Sequence, residues 1–396
     1  MNTKEIIELT QKYVMNTYNR FPIAIVKGKG ARVWDAEGKE YLDFVAGIAV
    51  CSLGHCNEEI VSAIISQSQK LMHISNLYYI EPQAELAKIL VENSCGDKVF
   101  FCNSGAEANE AAIKLARKYG KIYGGPSKYE IVTAYKSFHG RTLATLTATG
   151  QTKYQKGFEP LLPGFKYIPF NDISALYESI NENTCAVLLE PIQGEGGVYV
   201  AEKEFLKKAR ELCDKYNALL IFDEVQCGLG RTGKFLAYQH FDVEPDIFTL
   251  AKALGGGFPI GAMVAKEKPA SVFSPGDHAS TFGGNPLACS SGIASINYLF
   301  KNGLIENANR VGNYFKQKLI ELSKTFSFIK EVRGLGLMLG LELSINGKII
   351  VEKCQEKGLL INCIGENILR FLPPLIITEN EIDEAIYILR EVFKEV

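Results

Sequence analysis

The sequence predicts an α/β fold, with a large domain built on a mostly parallel sheet and joined to a smaller α+β domain. Three observations carry this reading. Strand-like apolar runs alternate with helical patterns through the middle of the chain, the pattern of an open sheet covered on both faces. At 396 residues the chain exceeds one ordinary hydrophobic core, so two domains are expected. The last third changes character, with long helical stretches followed by short strands.

In chain order, MNTKEIIELTQKY reads as an amphipathic helix with Ile6, Leu9 and Tyr13 on one stripe, not as a secretory signal. Ala31–Trp34 and Tyr41–Phe44 read as a hairpin, and residues 1–55 are expected to join the small domain. Residues 56–285 form the expected large domain. Its candidate strands are Val99–Cys102, Glu130–Ala134, Cys185–Leu189, Leu219–Phe222 and Ile247–Leu250, each followed by a polar or Gly-bearing turn. Between them, Glu204–Lys215 places Phe205, Ala209 and Leu212 at helical spacing. Residues 286–396 form the expected small domain, helical over Leu287–Leu322, with strands around Gly336–Leu343 and Ile368–Leu372. Its last helix opens with Thr378-Glu379-Asn380-Glu381, a capping box, and buries Ile382, Ala385, Ile386, Leu389 and Phe393.

Composition excludes several function classes. Lys and Arg number 43 against 45 Asp and Glu, and no block of like charge occurs, so no nucleic acid and no membrane surface is an expected partner. The apolar run Phe44–Gly54 is too short to cross a bilayer. Ten cysteines include no C-x-x-C pair, and five histidines lack ligand-like spacing. They read as free thiols packed in a cytoplasmic protein, with no metal site.

In open α/β sheets ligands bind beyond the carboxyl ends of the strands, and here those ends are polar. Val99–Cys102 runs into Asn103-Ser104-Gly105-Ala106 and a helical segment, whose free N–H groups suit a phosphate. The alternative is plain helix capping by Ser104. Glu130–Ala134 leads to Phe138 and Arg141, a ring to stack on a flat cofactor and a guanidinium for a carboxylate; a core aromatic beside a surface Arg is the alternative. Leu219–Phe222 ends in Asp223, Glu224, Val225 and Gln226. A carboxylate at such a tip needs a partner, which a cationic ring nitrogen would supply, unless Asp223 merely caps the next element. Ile247–Ala251 ends in Lys252 before a glycine run. Burial would favour its neutral amine, whereas an ordinary Lys would snorkel to solvent. Together these four features are what pyridoxal 5'-phosphate requires. A nicotinamide enzyme is disfavoured, because no G-x-G-x-x-G follows an early strand.

The runs Phe222-Asp223-Glu224-Val225-Gln226, Arg231-Thr232-Gly233, Ala251-Lys252-Ala253-Leu254-Gly255, Glu190-Pro191-Ile192-Gln193-Gly194-Glu195-Gly196-Gly197 and Ser280-Thr281-Phe282-Gly283-Gly284-Asn285-Pro286 resemble the class III (subgroup II) aminotransferases over nearly the whole chain. The resemblance implies fold type I and a homodimer with shared active sites. It implies an acylated ornithine and 2-oxoglutarate or glutamate as substrates. It makes Lys252 the lysine that carries the cofactor, Asp223 the partner of the ring nitrogen, Gln226 the neighbour of the ring oxygen and Phe138 the stacking ring. Ser104, Gly105, Ala106 and Val225 complete the cofactor set, with Thr281 reaching the phosphate of the neighbouring subunit. Arg141 and Ser280 are implied to contact the acylated substrate, and Arg370 the carboxylate of glutamate. Glu195, in a Gly-rich turn, is expected to pair with Arg370 when no such carboxylate is bound. Ala106 stands where the family commonly has Thr, which removes one hydroxyl from the phosphate site.

Overall fold

The computed structural model describes all 396 residues, Met1–Val396. Its centre is a seven-stranded sheet of β1 (Lys98–Cys102), β2 (Glu130–Ala134), β3 (Phe165–Ile168), β4 (Thr184–Leu189), β5 (Leu219–Asp223), β6 (Ile247–Leu250) and β7 (Gly261–Ala265). The spatial order is β1-β7-β6-β5-β4-β2-β3. β7 runs antiparallel to both of its neighbours, while β6, β5, β4, β2 and β3 pair in parallel.

The unbroken apolar strands follow from burial on both faces. Leu219 and Ile221 of β5 pack with Ala111, Ala112, Leu115 and Ala116 of the helix Gly105–Gly124. Leu220 and Phe222 pack on the other side with Phe205, Leu206, Ala209 and Leu212 of the helix Lys203–Lys215. Side chains alternate along a strand, so Asp223 falls on the face of the helix Gly105–Gly124. That placement decides its partners.

Two smaller sheets flank this core. Ile25–Lys29, Arg32–Asp35 and Glu40–Asp43 form a meander, onto which Leu359–Leu360 from the far end of the chain adds in parallel. Ile329–Leu335, Met338–Leu343, Ile368–Phe371 and Asn362–Ile364 form the other sheet. The helix Pro286–Lys301 packs on the helices Glu58–Ser68 and Glu81–Glu92, and Leu304–Thr325 packs on Glu379–Phe393.

Several elements depart from the sequence reading. The helical stretch after Leu287 breaks at Asn302 and at Gly303, whose φ is +59°. The strand expected from Gly336 starts at Met338, because Gly336 makes the turn at φ +54° with Thr232 and Arg231 backbone packed against it. The helix Thr3–Tyr13 forms with a capping box from Asn2 and Glu5. None of its residues is buried; Ile6 is partly covered, while Leu9 and Tyr13 stay 44% and 71% exposed. No helix is long and apolar enough to cross a membrane.

Candidate active site

The carboxyl ends of β1, β2, β4, β5 and β6 lie along one edge of the sheet, which gathers five polar turns. Asp223, only 4% exposed, ends β5. Its Oδ2 accepts from Asn109 Nδ2 at 2.7 Å and His139 Nδ1 at 2.8 Å, and its Oδ1 from the N–H of Val225 at 3.0 Å. Thr249 of β6 donates to Asn109 Oδ1 at 2.8 Å. Asn109, on the helix Gly105–Gly124, and His139, in the turn after β2, meet Asp223 only through the fold, so sequence reasoning did not single them out.

Ser104 is the N-cap of the helix Gly105–Gly124; its Oγ accepts from Glu107 N at 3.2 Å and donates to Glu107 Oε2 at 3.0 Å. The hydroxyl is therefore engaged as a cap. The N–H groups of Gly105 and Ala106 are donated to nothing within the chain, which leaves a pair of donors at the positive end of the helix. A Cβ on Gly105 would sit 2.7 Å from Cγ1 of Val225, so Val225 walls this cradle closely.

Lys252 follows β6 with φ +48°, a left-handed conformation that a lysine rarely adopts. Burial lowers its pKa; Arg370 adds to the lowering, while Glu195, Asp223 and Glu190 oppose it.

Phe138 is half-buried and meets Tyr154 edge-on at 5.9 Å. Arg141 is exposed, with its guanidinium 4.0 Å above the ring centre of Tyr154 and 5.5 Å from that of Phe138. Across the edge, Arg370 is 1% exposed and donates through Nη1 to Glu195 Oε1 at 2.5 Å and to Gln226 Oε1 at 3.1 Å. Gln226 Nε2 in turn donates to Glu195 at 3.3 Å. Burial works against ionised Glu195, yet Arg370 holds its carboxyl below the ordinary range. Gln226, read from the sequence as a neighbour of the ring oxygen, here belongs to the Arg370–Glu195 cluster.

Ser280 Oγ accepts from Asn103 Nδ2 at 3.3 Å and from the N–H of Gly283 at 2.9 Å, which ties its loop to the end of β1. Thr281 is exposed and makes no hydrogen bond within the chain. It stands apart from the cluster. Glu190 was not singled out by sequence reasoning. It is 6% exposed and accepts the N–H of Phe138 at 3.1 Å and of Gly194 at 3.2 Å.

Residues 13–393 match the family described as aminotransferase class-III. The chain is 59% identical to an acetylornithine aminotransferase of Caldanaerobacter subterraneus subsp. tengcongensis, over 99% of this chain and 100% of that one. It is 56% identical to the acetylornithine aminotransferase of Methanocaldococcus jannaschii, with both chains covered in full. The acetylornithine aminotransferase structure from Elizabethkingia anophelis superposes with a TM-score of 0.90 at 37% identity, covering 100% of each chain. The ornithine aminotransferase of Toxoplasma gondii ME49 gives 0.96 at 36% identity, covering 100% of this chain and 96% of that one. By its length of match and its likeness to these relatives, the chain belongs to the class-III aminotransferases.

Proposed function

We propose that this chain transfers the terminal amine of N2-acetylornithine to 2-oxoglutarate, giving N-acetylglutamate 5-semialdehyde and glutamate, with pyridoxal 5'-phosphate as cofactor. That reaction belongs to arginine biosynthesis. The observation that carries the reading is the full-length likeness to acetylornithine aminotransferases.

The residues fit the cofactor. Two undonated N–H groups at a helix start suit its phosphate, and the buried, already oriented carboxylate of Asp223 suits a protonated ring nitrogen. Phe138 would stack on the ring and Lys252 would hold the group covalently. Ala106 offers only its N–H, so the phosphate depends on backbone donors there. When bound, pyridoxal phosphate supplies an aldehyde that condenses with amines and a ring that stabilises negative charge on the carbon losing a proton.

The chain's own residues do the rest. Nζ of Lys252, whose pKa burial lowers, takes the proton from the amine-bearing carbon of the substrate and later returns one. Asp223 would face the ring nitrogen, oriented by Asn109 and His139. Arg141, with Ser280 beside it in the substrate set, takes the distant carboxylate of the acylated ornithine. Arg370 takes the near carboxylate of glutamate, and Glu195 neutralises Arg370 when that carboxylate is absent.

A homodimer with shared sites completes the reading. Thr281 is exposed beside Phe282, itself 59% exposed, while Leu77, Tyr78 and Tyr79 remain 85%, 63% and 108% exposed. A partner would cover these apolar groups and receive Thr281 at its phosphate. The test is a panel of amino donors followed by cofactor absorbance. Acetylornithine is expected to react fastest; faster reaction with free ornithine would move the assignment to an ornithine aminotransferase, and succinylornithine to a different acyl preference.

A further inference from the structure

Among the buried acids that the mechanism above leaves unused is Glu190. Glu190 follows β4, and its two oxygens serve two different turns: Oε2 accepts from Phe138 N–H and Oε1 from Gly194 N–H. Neither N–H has another acceptor in the chain. The first turn carries Phe138 and His139, the latter bonded to Asp223. The second carries Glu195, bonded to Arg370. The turns also meet directly, since Gln193 Nε2 donates to Tyr135 O at 2.9 Å and a Cβ on Gly196 would lie 2.8 Å from Lys136 O. Burial, reinforced by nearby Asp223, pushes the Glu190 carboxyl well above its usual range, so keeping an acid here costs free energy.

We infer that Glu190 is a positioning residue, a bracket of two acceptor oxygens that locks the ring-stacking turn onto the turn bearing Glu195. It thereby couples the cofactor platform to the pair that reads the near carboxylate. This rests on the function proposed above. An amide cannot replace the bracket, because one of its two ends is a donor facing another donor.

The test is a double-variant cycle on the holoenzyme, with hydrogen–deuterium exchange beside it. Glu190→Gln is expected to raise KM for glutamate about tenfold, the cost of one buried donor left unpaired. In a Glu195→Gln background the same change is expected to move KM less than about threefold, because the two residues act through one turn. Equal factors in both backgrounds would overturn the bracket. In the wild-type holoenzyme the amides of Phe138 and Gly194 are both expected to exchange slowly, with protection at one of them lost in Glu190→Gln or in the shorter Glu190→Asp. Fast exchange at either amide in the wild type, or unchanged protection in the variants, would also overturn it. The exchange measurement is independent of turnover: protected amides without transamination would sink the proposed function and spare the bracket, whereas turnover with unprotected amides would do the reverse.

Discussion

At Asp223 both carboxylate oxygens are oriented by Asn109, His139 and the Val225 N–H. Preorganisation of this kind is what makes a charge effective on a developing transition state. Asp223→Asn is therefore predicted to slow turnover by ~100-fold or more, about 2.7 kcal/mol of transition-state stabilisation, measured as kcat in steady state; a near-normal rate would remove Asp223 from its role. The residue types that do chemistry were legible because each follows an apolar strand, where an acid or an amine is conspicuous. The groups that hold them were not. Asn109 sits on a helix, His139 in a turn and Glu190 after a strand, and only the fold brings them to Asp223 and Phe138.

The elements repeat the same logic. β2, β5 and β6 were readable from runs of Val, Ile, Leu and Phe covered on both faces, whereas β3 and β7 were not assigned. β3, Phe165-Lys166-Tyr167-Ile168, lies at the sheet edge with only Ile168 buried, and β7 is built largely of Gly and Ala. Helix ends were legible where capping chemistry marks them. Thr378 accepts from Glu381 N while Glu381 reaches back to the Thr378 N–H; Thr378→Ala is predicted to cost about 1 kcal/mol, read as a lower denaturant midpoint with turnover unchanged. At the helix Gly105–Gly124, Gly105→Ala would drive a methyl against Val225. Its predicted consequence is cofactor affinity weakened about tenfold, a loss near 1.4 kcal/mol, measured by titrating cofactor into the stripped protein; unaltered affinity would mean that this helix start does not hold the phosphate.

On the scale of the molecule, buried Arg231 of the large domain joins Ser52 of the N-terminal segment to the carbonyls of Leu337 and Pro373. Within the N-terminal segment, half-buried His55 meets Asp43 Oδ2 through Nε2 at 2.7 Å. The hydrogen bond to Asp43, with a further contribution from Cys51, raises its pKa to about 10 against an ordinary 6.5. A folded-state pKa above the unfolded one means that this stability is fully present below about pH 6.5 and is lost as the pH rises toward 10. Thermal midpoints measured across that window are predicted to fall more steeply for the wild type than for His55→Gln; parallel curves would contradict the link. The N-terminal amphipathic stripe leaves Leu9 and Tyr13 exposed within the chain, and a mass corresponding to two chains in sedimentation is the result expected of the proposed homodimer.

The role of Lys252 is tested most directly by reducing the cofactor-loaded protein with borohydride and mapping the labelled peptide. The cofactor is expected on the peptide that contains Lys252, with no label in Lys252→Ala. A label on another lysine, or none, would contradict it.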